Sequence, residues 1–168
     1  MRRSGRALLA ALAIMAGPAL AQDDEDALVT FSVLQPELAI DLAVKTMEGC
    51  RAEGYQVGVA VVDRFGTVQS FVRDRFAGPH VHETANRKAW TAVSFRTDTL
   101  SLGELTAEGT APSAIRQISM ALPLGGGVPI EVAGTLVGAV GVSGAPSPAA
   151  DDDCARAGIA AIEEQLPF

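Results

Sequence analysis

The stretch "YQVGVAVVDRFGTVQSFVR", Tyr55 to Arg73, decides the architecture. Its first nine residues are rich in valine, "RFG" breaks the run, and "TVQSFVR" (67–73) resumes it, which is the pattern of two strands joined as a β-hairpin. The same pattern returns downstream, where "VPIEV" (128–132), a turn at Ala133-Gly134 and "TLVGAVGVS" (135–143) make a second hairpin. Hairpins pair their strands antiparallel, which excludes a doubly wound parallel sheet.

Helices fill the intervals. Pro36 suits a first helical position, and Leu38, Leu42, Ala43, Met47 and Cys50 follow at three- and four-residue spacings until Gly54 ends the run. A second helix is expected from about Pro79 to Phe95 and a third from Pro148, with Ser147 before it and Asp151 to Asp153 set favourably against its dipole. "LVTFSV" (28–33) reads as extended, and Arg96 to Pro123 as an irregular stretch in which "TLSLGEL" and "APSAIRQISMA" form short helical turns. The order helix, hairpin, helix, hairpin, helix is that of an α+β fold with helices packed on an antiparallel sheet.

The chain opens with "MRRSGRALLAALAIMAGPALA", in which Arg2, Arg3 and Arg6 precede an apolar run and Ala19-Leu20-Ala21 supplies small residues. That is a secretory signal (1–21) with cleavage expected after Ala21, and its apolar run is shorter than the roughly 20 residues that span a bilayer. One domain, 22–168, is left, and the location is periplasmic or secreted. Loss of three arginines takes the net charge from -7 to -10, an acidity that excludes a nucleic-acid or anionic-membrane partner. Cys50 and Cys154 fall in the first and last helices; in an oxidising compartment they are either a disulfide or two buried small hydrophobes.

Both histidines lie in "GPHVHETANRKAW" (78–90). On a helix residues two apart point away from each other, so His80 and His82 do not share an ion there, whereas in an extended lead-in they share a face. With Glu83 they offer three zinc ligands at best, while one histidine suffices as an axial ligand to haem iron. Arg87 and Lys88 beside Trp90 are candidates for holding an anionic ligand's carboxylates, and Arg73 and Arg75 extend the positive patch; the alternative is a helix whose charged side faces water. Gly125, Gly126 and Gly127 before the second hairpin permit a sharp turn or a close approach to a ligand. "GAVGVSGA" lacks the lysine of a phosphate loop, no Gly-x-Ser-x-Gly elbow occurs, and Asp63 is either a general base or, more simply, the opener of a turn.

Three segments, "ELAIDLAVKTMEGCRAEGYQVGVAVVDRFGTV" (37–68), "ANRKAWTAVSFRTDT" (85–99) and "LPLGGGVPIEVAGTLVGAVGVSGAPSPAADDDCARAGIAAI" (122–162), together resemble the GlcG/HbpS family of small haem-binding proteins, which includes the C-terminal domain of PduO-type proteins. The resemblance implies a profilin-like domain with a five-stranded antiparallel sheet, homo-oligomers and haem binding, in some members with haem degradation. The first helix (36–53) here carries no histidine, so His80 or His82 is the candidate iron ligand, with Arg87 and Lys88 near the haem carboxylates. The expected function is haem storage, sensing or handling without turnover; the rivals are a haem-degrading enzyme, a small organic-acid pocket, and a module that acts by oligomerising through its Gly-rich hairpin edges.

Overall fold

The computed structural model describes residues 28–166, so the expected signal and its cleavage point lie outside the described residues. Pro36 opens α1 (Pro36–Ala52), and Gly54, at φ +85°, turns the chain out of it. β1 (Gly58–Asp63) and β2 (Val68–Arg73) form the first hairpin. The Asp63 carboxylate holds its turn by accepting from the Phe65 and Thr67 N–H groups at 2.8 and 2.9 Å, so that residue is the turn opener and not a free base. After α2 (Val81–Phe95) come α3 (Thr99–Leu105), capped by Asp98, and a 3-10 turn at Ala111–Gln117. β3 (Gly127–Val132), β4 (Thr135–Ser143) and α4 (Pro148–Ala160) complete the domain, the last with the Ser147 hydroxyl accepting from the Ala150 N–H.

The sheet runs β2-β1-β4-β3 with every neighbouring pair antiparallel. It has four strands among the described residues, not the expected five. Residues 28–35, read as extended over 28–33, form neither helix nor strand; Phe31 to Val33 stay exposed and Leu34 enters the core.

Period-two alternation sorts β1 between two layers. Val59 and Val61 pack with Leu42 and Ala43 of α1 and Ala155 of α4, while Val62 on the opposite face packs with Ala89 and Ala92 of α2. The sheet is therefore covered on both sides, by α1 with α4 on one and by α2 on the other. Small residues set how closely α2 sits: a Cβ at Gly141 of β4 would overlap the Ala85 carbonyl. On the other side, Gly158 of α4 is pressed against Thr46 of α1, and Cys50 and Cys154 form a disulfide with their Cα atoms 5.5 Å apart. It closes a 104-residue separation and so restricts the unfolded chain.

One ion pair pins the chain beyond β2. Asp74, 2% exposed, accepts from Arg51 Nε of α1 at 2.8 Å and from the Arg75 N–H at 2.7 Å, and the hydrogen bond from Arg51 holds its carboxyl below the ordinary 3.8. A depressed carboxyl stabilises the fold above its unfolded value, and that contribution disappears as pH falls through the folded one.

These contacts set two expectations for stability. Ala133 and Gly134 both have positive φ, 48° and 74°, as a two-residue hairpin turn requires; Ala133→Asn is expected to raise the thermal midpoint, recovering up to about 1 kcal/mol of the left-handed penalty. Asp74→Asn is expected to lower neutral-pH stability and to flatten the fall below pH 3.8, because the Asp74 contribution is present above that value and lost below it; parallel acid limbs in the two proteins would contradict this.

Candidate functional site

Lys88 lies in the stripe Ala85, Lys88, Ala89, Ala92, the i, i+3, i+4, i+7 face that α2 turns to the sheet. At 1% exposure it is the bulkiest fully buried side chain among the described residues. A buried ammonium needs a partner, and Lys88 Nζ donates to Asp151 Oδ2 of α4 at 2.7 Å and to the Val142 carbonyl of β4 at 3.0 Å. Asp151 Oδ1 in turn accepts from the Ala145 N–H at 2.9 Å, and the Gly144 N–H also favours the carboxylate. Burial pushes the Lys88 ammonium down and the Asp151 carboxyl up, and each partner's charge opposes the other's shift. The pair thereby fixes the Gly144–Ser147 loop to α2.

That loop is one wall of a cleft of about 550 Å³. Tyr55 and Gln56, which come after α1, line it too, and Lys88 and Asp151 reach its floor. The opposite rim is the turn from Asp74 to His80, which supplies Phe76 and His80. Arg51 anchors this turn through Asp74, whose own N–H donates to the Val57 carbonyl at 2.9 Å. Phe76 is 80% exposed, a large apolar ring standing free at the mouth. The Thr84 hydroxyl links the rim to the wall, lying 3.0 Å from the His80 carbonyl and 2.8 Å from Ser143 Oγ.

The structure separates the candidate site residues, His80 or His82 with Arg87 and Lys88. His80 lines the cleft, but α2 begins at Val81, so Pro79 lies before the helix and not at its first position. His82 is one residue into α2 and packs edge-on against Phe71 of β2, with ring centroids 4.8 Å apart. It is outside the cleft lining, and no three His, Cys, Asp or Glu side chains converge as a metal site among the described residues. Arg87 points away as well: it donates to the Met120 and Ala121 carbonyls at 3.4 and 3.0 Å and pairs with Glu83. Lys88 is at the cleft, yet its charge is already matched by Asp151. The three glycines are packing residues, since side chains there would strike the Pro148, Val142 and Lys88 carbonyls.

Chemically, the floor is a neutral ion pair and the mouth carries an imidazole and a phenyl ring. No unpaired lysine or arginine is among the lining residues. Such a cleft suits a flat ring that touches Phe76 and offers something for an imidazole nitrogen to bind. Two cleft residues escape a reading of the sequence: Asp151, which shows there only as an acid suited to a helix dipole, and Phe76. Lys88's burial is legible in its spacing from Ala85 and Ala92; nothing local marks Asp151 as its partner, 63 residues away.

A family described as haem degrading protein HbpS-like matches residues 34–160. The crystal structure of HbpS is 38% identical with a TM-score of 0.76, covering 81% of this chain and 94% of that one. The crystal structure of a PduOC:haem complex is 31% identical with a TM-score of 0.71, covering 77% and 95%. Protein GlcG of Escherichia coli is 29% identical over 66% of this chain and 81% of its own length. The corrinoid adenosyltransferase PduO of Salmonella typhimurium is 36% identical over 67% of this chain, which spans only 34% of that protein. With the matched residues running from Leu34 to Ala160 and the fold shared with HbpS, the chain belongs to the HbpS-like family.

Proposed function

We propose that this chain is an exported haem-binding accessory protein that stores, senses or hands on haem, and that the cleft between the Asp74–His80 turn and the Gly144–Ser147 loop receives the ring. The observation that carries this reading is His80, an imidazole at the mouth of a cleft whose floor is neutral and whose rim is aromatic. The solved haem complex of a relative with the same fold supports the ligand. The lining residues fit such a group. Phe76 offers a face to a ring, and Gly144, Ala145 and Pro146 opposite it are small or flat enough for a planar group to lie close. His80 is the candidate for the iron, because a neutral ring nitrogen is the usual protein ligand there. His82, held against Phe71, is set aside, as are Arg87 and Lys88 as carboxylate anchors. Haem, when bound, would supply an iron centre for redox or small-ligand chemistry. The chain's part would be to hold it, with His80 the candidate for the metal, Phe76 offering a face to the ring, and the Lys88–Asp151 pair keeping the far wall in place. A small organic-acid ligand is less well served, since an anion alone would meet no unpaired cation in the lining.

Haemin titration of residues 22–168, followed by absorbance, tests this reading. Wild type is expected to give a saturable band shift that His80→Ala abolishes or weakens by about tenfold or more, the equivalent of about 1.4 kcal/mol. His82→Ala and Arg87→Ala are expected to titrate as wild type. Undiminished binding by His80→Ala would remove the iron assignment, and no saturable shift in wild type would remove haem.

A further inference from the structure

The disulfide joins the two elements from which the cleft walls spring. Cys50 lies in the last turn of α1, and its carbonyl accepts from the Tyr55 N–H at 3.0 Å, so it holds the start of one wall. The next residue, Arg51, is the anchor of the Asp74–His80 turn. Cys154 lies on α4 one turn after Asp151, the residue that holds the loop of the other wall. A second cleft, about 470 Å³, opens between α1 and α4, lined by Gly49, Tyr55, Ala150 and Cys154 together with two carboxylates, Glu53 and Asp153. Tyr55 therefore borders both clefts. Of the two bridged residues, Cys154 keeps 7% exposure and Cys50 none.

We propose that this second cleft is a thiol–disulfide exchange site for small dithiols, attacked at Cys154, and that reduction there loosens both walls of the ligand cleft. A thiolate of the dithiol attacks Cys154 Sγ; that S–S bond forms as the Cys50–Cys154 bond breaks, and the electron pair leaves on Cys50 Sγ, which takes up a proton. The reagent's second thiol then displaces Cys154 as a thiolate. The dithiol leaves oxidised to a disulfide, and the protein keeps two thiols. The loosening is local, because α1 and α4 remain interlocked at Thr46 and Gly158, one turn beyond each cysteine, and Lys45 Nζ of α1 still donates to the Ala161 carbonyl at the end of α4. The helices separate at the end where Cys50, Tyr55, Asp151 and Cys154 lie. The exchange site stands on the second cleft and the exposure of Cys154 alone; its effect on ligand affinity rests on the haem reading.

The test uses the oxidised protein, residues 22–168, in three measurements. A brief pulse of glutathione, quenched with acid and mapped by mass spectrometry, is expected to place the adduct on Cys154 with Cys50 free. Hydrogen exchange before and after reduction by dithiothreitol is expected to show faster exchange at Tyr55, Gly144 and Ala145, with β1 and β4 unchanged. Haemin affinity is expected to fall about tenfold on reduction, inside the usual range of coupling between two sites. An adduct on Cys50, no adduct without denaturant, exchange at those amides unaltered by reduction, or exchange accelerated across the whole domain would each overturn the proposal. If the oxidised protein fails to bind haemin, the haem reading falls, while adduct mapping and exchange still decide the site.

Discussion

A buried ammonium against a buried carboxylate is the constraint on which the cleft depends. Lys88 comes from the helix on one face of the sheet and Asp151 from a helix on the other, and they meet where β3 begins and β4 ends. The meeting is possible because Gly126 has no side chain: a Cβ there would press on the Val142 carbonyl oxygen and on the Asp151 side chain. Removing one member of such a pair leaves an uncompensated charge in the interior, which typically costs on the order of 3–5 kcal/mol. The same carboxylate collects the Gly144 and Ala145 N–H groups, so one interaction ties α2, β4, α4 and a cleft wall together.

This constraint changes the electrostatics of the site. A lysine in a cleft suggests an anion hold, but one already matched at 2.7 Å offers no net charge to a ligand. Under the proposed reading, selection would then fall to shape and to the imidazole of His80 at the rim. The rim is held separately, through Arg51 and Asp74, so the two walls are positioned by two different ion pairs.

Much of the fold is legible in the sequence because its signals are local. Both hairpins follow from valine-rich runs around short breaks, α1 and α4 from Pro36 and Pro148, and the Ser147 cap from residue type. The disulfide is not legible, because a Cα separation across 104 residues is not a local property. The fifth strand is an expectation carried by the family resemblance and by no particular residues, and the sheet of the described residues has four. In the site, the adjacency of Arg87 and Lys88 suggests a shared role, whereas the helical period sends one to the sheet and the other to the 120–121 carbonyls. His80 and His82 diverge likewise, one before α2 and one within it. Long-range partners, Asp151 above all, have no signature in the chain.

The most direct measurement is a crystal structure of residues 22–168 grown with haemin. Iron is expected at His80 and the ring between Phe76 and the Gly144–Pro146 loop, with the Lys88–Asp151 contact intact beneath it. Haem bound at His82, or on any surface away from this cleft, would contradict that placement.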